Sequence, residues 1–412
     1  MWKWSGLFLL FGMMLSACGT SIDDRDTAPD GENVEEHPEI PTLVEANNEL
    51  AFDLLERTMT GADENVFLSP VSLYIALSLA YNGADGETKE EMESLLGFTD
   101  VELLNAANET FHQQLTTERD GAELHLANSL WLNDHFAFQA DFEEALTNHY
   151  EAEVQEVDIL ADATPDTIND WVNKQTEGRI EDIVEPPLPE DVVAFLINAI
   201  YLDADWQYPF DPDLTSMDEF QLPDGSTKKV EMMNLKEELP YFETNDFQAV
   251  VLPYGEGDLS MQIFLPEEGN EDFTESFTWE NWSNWQGDFQ EAEGEIYLPA
   301  FELKYEATLN NYLEALGMET AFDEAYADFS NMVEGRDDVF ISEVKQKTFL
   351  LVDEEGTVAA GATSMEMQIT SAPIDGPFIM EMDRPFHLVI KDEATGAIIF
   401  IGTVNNPPAR SR

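Results

Sequence analysis

Most of the side chains that commonly do chemistry stand here in arrangements that cannot do it. The six histidines are scattered with no H-x-x-x-H pair, and no G-x-S-x-G elbow, P-loop or G-x-G-x-x-G turn occurs. Close pairs of carboxylates carry no signal, because 86 acidic residues generate them by chance. The single cysteine, Cys18, excludes an internal disulfide and a cysteine-rich metal site. The chain is therefore expected to be no enzyme and to use no cofactor or metal. One segment stands out, and its chemistry would be that of its own backbone: Glu354-Glu-Gly-Thr-Val-Ala-Ala-Gly-Ala-Thr-Ser-Met-Glu-Met-Gln-Ile-Thr-Ser-Ala-Pro373. It joins two apolar stretches and is far longer than most connections in a compact domain. Its first half is nearly all small residues. In steps of two, Thr357, Ala359, Gly361, Thr363, Met365, Met367 and Ile369 turn apolar toward the end, while Val358, Ala360, Ala362, Ser364, Glu366, Gln368 and Thr370 turn polar. That is the alternation of a half-buried strand. A loop written as a strand suggests two states, exposed and then inserted; an ordinary edge strand would be written the same way.

The elements that must position this segment can be read from pattern. Leu43–Met59 reads as a helix, and Phe67–Leu79 contains a helix start at Ser69-Pro70-Val71-Ser72, with proline in the first turn. Gly83 and Gly86 are expected to end that helix and Thr88 to cap the next. Leu124–Leu132 is apolar and leads into Phe136–Tyr150, and Ile168–Gln175 reads as helical. Val192–Leu202 is a near-continuous apolar run, which suits a central strand buried on both faces. Later strands are expected at Ala249–Leu252, Met261–Leu265, Glu295–Leu298 and Phe349–Val352, with a closing hairpin of Phe386–Ile390 and Ala397–Val404 turning at Ala394-Thr395-Gly396. Helices dominate the first part and strands the second, so the expected class is α+β.

The 412 residues suffice for one large domain, and a hydrophobic fraction of 43% lets most of it fold. Against 86 acids stand only 18 lysines and arginines, a net charge of -68. Such a chain repels nucleic acid and anionic lipid surfaces, which excludes DNA or RNA as partner. The excess runs along the whole chain and reads as adaptation to saline surroundings, where the Debye length at about 1 M salt is only ~3 Å; a bound cation or a basic partner surface would be the other reading. The N-terminus has a weakly basic start, an apolar run from Gly6 to Leu15, and then Ser16-Ala17-Cys18. That run is short for a membrane span and fits a signal peptide. Leu15-Ser16-Ala17-Cys18 resembles the lipobox of bacterial lipoproteins, which implies acylation of Cys18, a membrane tether and an extracytoplasmic location. Residues 19–41, acidic and poor in large apolar groups, read as a disordered linker. The expected organisation is a signal peptide over 1–18, the linker over 19–41 and one domain over 42–408.

The long segment and its surroundings resemble the serpin family over about residues 42–408. Glu354-Glu355-Gly356-Thr357 followed by Ala359-Ala360-Gly361-Ala362-Thr363 is similar to the family's hinge. Asn65, Ser69, Pro70, Ser72, Leu79, Gly83 and Thr88 fit an early signature; Ile168-Asn169, Trp171-Val172, Thr176 and Gly178 fit a second; Asn198-Ala199-Ile200-Tyr201 with Trp206 fit a third. Phe247-Gln248-Ala249 with Leu252-Pro253-Tyr254, then Asp383-Arg384-Pro385-Phe386, Gly402 and Asn405-Asn406-Pro407, complete the series.

The resemblance implies a metastable fold of three β-sheets and about nine helices, with an exposed reactive-centre loop. It implies a covalent acyl complex with a target serine protease, after which the cut loop inserts into the largest sheet. An insert of ~14 residues at ~3.3 Å each would carry the protease tens of ångströms. By alignment of the hinge the scissile bond is Thr370–Ser371, with Ile369–Thr370 or Met367–Gln368 as offsets. An uncharged, β-branched Thr370 argues against trypsin-like targets, whose primary pocket carries an Asp, and suits elastase-like or subtilisin-like enzymes. Ser69, Ser72 and Asn198 align with the family's shutter, where Gln346 replaces the usual His and cannot titrate. Trp206 aligns with the tryptophan at the loop's entry point, the breach. Core packing would account for these five residues equally. Thr357 is expected as the first inward-facing hinge residue, outside the sheet until insertion buries it. Val358 departs from the family's Glu. Thr99–Asp120 holds one basic residue, Arg119, so a heparin-like polyanion is not expected as a cofactor. The partners expected are a serine protease and, through the lipid, a membrane; the chain is expected to be a monomer. A non-inhibitory serpin acting as a binding or chaperone-like lipoprotein is the rival reading, but Thr357, Ala359, Gly361 and Thr363 lack the bulky, charged or proline residues it would favour.

Overall fold

The computed structural model describes residues 37–59, 64–117, 119–189, 193–270, 273–335, 339–357 and 377–410. In chain order they form α1 (Ile40–Thr58), β1 (Val66–Leu68), α2 (Pro70–Tyr81), α3 (Gly86–Leu96), α4 (Val101–Thr116), β2 (Ala122–Asn133), α5 (Ala140–His149), β3 (Glu153–Val157), α6 (Thr164–Gln175) and β4 (Ala194–Asp205). There follow β5 (Ser216–Gln221), β6 (Thr227–Glu243), β7 (Phe247–Tyr254), β8 (Leu259–Pro266), α7 (Phe273–Ser276), α8 (Trp279–Trp285), β9 (Gln290–Pro299) and β10 (Phe301–Thr308). The chain closes with α9 (Asn310–Ala315), β11 (Glu343–Val352), β12 (Gly356–Thr357), β13 (Phe378–Glu381), β14 (Phe386–Asp392) and β15 (Ile398–Val404). The class is α+β as expected, with nine α-helices among the described residues. None of those helices is long and apolar enough to cross a membrane.

The helix that supports the site starts where the sequence signals it. Ser69 caps α2, its hydroxyl accepting from Ser72 N, and Pro70 fills the first turn, where a missing N–H leaves nothing unpaired. Every residue of α2 is buried, so this helix lies inside the molecule and has no solvent face. Gly83 follows it because a Cβ there would come within 2.6 Å of Met332 Cβ. The cap expected at Thr88 is instead Asp85, whose carboxylate accepts from Gly86 N. Thr88 lies within the first turn of α3 and is buried, its hydroxyl accepting from Asp328 N at 3.0 Å.

Two hydrogen-bonded networks make up the β structure. The six-stranded one runs β10-β11-β4-β2-β3, with β12 attached to β4. Here β4 is central, and its Ala194–Tyr201 stretch is wholly buried, as its apolar run requires. The nine-stranded network runs β1-β15-β14-β8-β7-β6-β9-β13, with β5 on β6. The three sheets implied by the resemblance appear as two networks because β6 is continuous across two of them. Its first part pairs with β5 and β9, and its last three residues pair with β7.

Candidate functional site

The site begins where two parallel strands meet. β11 and β4 pair in parallel from Glu343↔Phe195 to Phe349↔Tyr201, and the ladder stops there. Parallel neighbours with no tight connection are a seam that a third, antiparallel strand could enter and bond on both sides. Above the seam, β11 turns at Asp353-Glu354-Glu355. Asp353 N donates to Gly356 O at 3.0 Å, and Asp353 Oδ1 accepts from Glu355 N and Gly356 N at 2.9 and 3.1 Å. The chain emerges as β12, antiparallel to β4 through Gly356↔Asp205 and Thr357↔Ala204. Gly356 is required at this point, since a Cβ would lie 2.1 Å from Ala204 O.

Thr357 therefore does not wait outside. It has no exposed surface, and its hydroxyl lies 2.7 Å from the buried Tyr254 hydroxyl. The expectation that Thr357 lies outside the sheet in the uncut chain is corrected: it is already buried, because Gly356 lets β12 close on β4 and Tyr254 offers Thr357 a polar partner. The bend is anchored from the side expected of the breach. Trp206 N donates to Glu355 O at 2.9 Å, its indole Nε1 donates to Asp353 O at 3.0 Å, and its ring stacks on Tyr254 at 4.4 Å. Phe210 N donates to Glu354 O at 2.8 Å.

Beneath the seam lies a chain of buried polar groups. Asn198 and Gln346 face each other across β4 and β11. Gln346 Oε1 accepts from Ser69 N at 3.0 Å while its Nε2 donates to Ser69 O at 2.8 Å, so one amide side chain satisfies both backbone groups of the cap residue. Ser69 Oγ donates to Ile399 O at 2.8 Å, and Ser72 Oγ donates to Asn198 Oδ1. Asn198 Nδ2 donates to Ser72 O at 2.7 Å and to Asn128 Oδ1 at 2.5 Å. Each of these groups is buried, so breaking the network without replacement would cost about 1–3 kcal/mol per orphaned group. The network ties α2 to both strands of the seam.

The mouth of the seam is acidic. Burial pushes the Asp205 carboxyl up, and the neighbouring Glu355 and Asp353 carboxylates add to it. Burial likewise pushes Asp203 up to about 6; Arg179 opposes this, but the Asp205 and Glu123 carboxylates reinforce it. Glu354 goes the other way: burial would raise it, but hydrogen bonds from Arg410 and Thr215 outweigh burial and hold it low.

The structure thus brings together Ser69, Ser72, Asn198 and Gln346 below the seam and Trp206, Glu354, Glu355, Gly356 and Thr357 above it. Ala359, Ala360, Gly361, Ala362, Thr363, Thr370, Ser371 and Cys18 lie outside the described residues. Asn128, Tyr254 and Arg410 belong to the site and were not singled out from sequence. Tyr254 was noted only as part of a motif, and the cross-strand register of Asn128 with Asn198 appears only once the strands are paired. Arg119 is held in a buried ion pair with Asp392 at 2.7 Å, so the one cation of the Thr99–Asp120 stretch already has a partner.

A family model described as Serpin (serine protease inhibitor) matches residues 45–407. An uncharacterized serpin-like protein of Methanosarcina acetivorans is 32% identical, covering 97% of each chain. A leukocyte elastase inhibitor of Xenopus laevis is 32% identical over 89% of this chain and 99% of its own. Among solved structures, the thermophilic serpin tengpin in its native state superposes with a TM-score of 0.80 at 33% identity, covering 89% of this chain and 94% of the other.

Proposed function

The chain belongs to the serpin family, and from that premise we propose that it inhibits serine-type endopeptidases by being cut once and trapping the enzyme. The protease's serine oxygen attacks the Thr370 carbonyl, the Ser371 amine leaves with a proton from the protease's histidine, and an ester joins the two proteins. The freed end of the loop then enters the β4/β11 seam as a third strand. Strand addition is a general recognition mode, of which serpin loop insertion is one case. The observation that carries this reading is the antiparallel pairing of Gly356 and Thr357 on β4 at the mouth of that seam. A strand already started there needs only to lengthen, gaining about 0.5–1.5 kcal/mol per new hydrogen bond. Dragging the protease along distorts its oxyanion hole and stalls hydrolysis of the ester.

The uncharged, β-branched Thr370 favours elastase-like or subtilisin-like targets, in line with the name of the Xenopus relative. The test is incubation with a panel of such proteases followed by denaturing electrophoresis. A complex that survives SDS supports the proposal; cleaved protein alone with every protease would replace it with a non-inhibitory role. Acylation at Cys18 would tether the inhibitor, as a monomer, outside the cytoplasm. On this reading Cys18→Ala moves the protein from the membrane to the soluble fraction, and unchanged fractionation would remove the anchor.

A further inference from the structure

With 18 lysines and arginines against 86 acids, the placement of each cation is informative. Arg410 lies beyond residue 407, where the family match stops. Its guanidinium grips the bend: Nη1 donates to Glu354 Oε2, Nη2 to Glu354 Oε1 at 3.0 Å, and Nε to Glu231 Oε2 on β6 at 2.9 Å. The planar fork bonds two carboxylates along two of its edges, which a lysine ammonium cannot reproduce. The pair is largely withdrawn from water, with side chains 23% and 9% exposed, so it is worth more than a surface ion pair. Thr215 Oγ1 adds a third donor to Glu354 at 2.8 Å.

The tail that carries Arg410 is itself fixed. Lys228 Nζ donates to Asn406 Oδ1 and to Pro407 O, each at 2.7 Å, and Pro408 O accepts from Glu302 N on β10 at 3.4 Å. The tail therefore runs from β6 of the nine-stranded network, past the edge strand β10 of the six-stranded one, to the bend of that second network. That bend turns a strand parallel to β4 into one antiparallel to it, which is the corner an inserting strand would have to keep. We propose that the C-terminal tail presets this corner, with Arg410 as a positioning residue that acts through Glu354 to make loop insertion fast relative to hydrolysis of the ester. This rests on the inhibitory reading above.

The test uses the full chain with Arg410→Ala and Arg410→Lys. Hydrogen exchange is followed at peptides holding the Trp206 and Phe210 amides, which donate to Glu355 O and Glu354 O. In Arg410→Ala these amides should exchange at least about tenfold faster, the equivalent of losing one charge-assisted bond, while β4 stays protected. With a protease that the wild type traps, the variant should yield a larger share of cleaved, uncomplexed protein, and Arg410→Lys should recover part of both effects. Unchanged exchange overturns the proposal. So does faster exchange with unchanged partitioning, since the contact would then hold the corner without guiding insertion. A wild type that traps no protease overturns the inhibitory reading and the insertion role with it, and the exchange result then reports on the Arg410 contact alone.

Discussion

Asp203 shows what the acidic surroundings do to a single group. It sits on β4 beside the seam, opposite Glu123 on β2, and its carboxyl is pushed up to about 6 by burial first and by Asp205 and Glu123 next, against the pull of Arg179 and His125. The folded chain therefore holds this proton at pH values where the unfolded chain, with an ordinary carboxyl near 4, has lost it. Between roughly pH 4 and pH 6 the folded state binds more protons, so this group's contribution to stability falls as pH rises, and its cost is complete above about 6. Asp203→Asn removes the ionisation and nearly keeps the shape. It should raise the apparent melting temperature at pH 7 and leave it almost unchanged at pH 4. An equal shift at both pH values would show that the carboxylate carries no such cost. Gln346 makes the opposite choice at the same seam: an amide satisfies both backbone groups of Ser69 at any pH, so the network beneath the strands is expected to be blind to the titration that affects its mouth.

At the scale of elements, β12 holds only two residues and decides how the hinge responds to mutation. Were the hinge wholly outside the sheet, Thr357→Arg would leave the uncut protein undisturbed. With Thr357 buried against Tyr254, the substitution forces a guanidinium into a closed sheet or expels β12 and orphans the Tyr254 hydroxyl. An unpaired buried charge costs about 3–5 kcal/mol. The uncut variant should melt several degrees lower and be cut as a substrate without forming complex. A melting temperature equal to wild type would place the hinge outside the sheet after all. Much of the framework for this was legible beforehand. Ser69-Pro70 marked the start of α2, the apolar run marked β4 as central, and Ala394-Thr395-Gly396 marked the turn between β14 and β15, where Asp392 Oδ1 accepts from Thr395 N at 2.7 Å. In each case the signal is local. β10 was missed although Phe301, Leu303, Tyr305 and Ala307 alternate at period two. β6 was missed because charged residues on its exposed face interrupt the pattern. The burial of Thr357 could not be read at all, since it depends on Tyr254, 103 residues away in sequence, and on the height at which β4 ends.

For the whole molecule, the question is which electrostatic effect wins as salt is added. The structure places several of its few cations at partly buried sites: Arg119 on Asp392, Lys347 between Asp182 and Glu306, Arg410 between Glu354 and Glu231. The Arg119 and Arg410 pairs are short and largely withdrawn from water, so added salt weakens them little, whereas the Lys347 pairs, whose acidic partners are exposed, are screened like other surface pairs. The remaining acids face one another across water with a net charge of -68. Two like charges 10 Å apart in dilute buffer repel by about 0.4 kcal/mol, and a surface this acidic holds many such pairs. At about 1 M salt the Debye length of ~3 Å removes nearly all of that repulsion. Screening should therefore outweigh the loss at the ion pairs. The apparent melting temperature should climb steeply from dilute buffer to about molar NaCl and level off once the Debye length falls below the spacing of the surface carboxylates. KCl should act like NaCl, because screening depends on ionic strength and not on the cation. A curve that is flat over this range would refute adaptation of the charge to saline surroundings, and a rise seen with one cation but not the other would assign the acids to binding that ion.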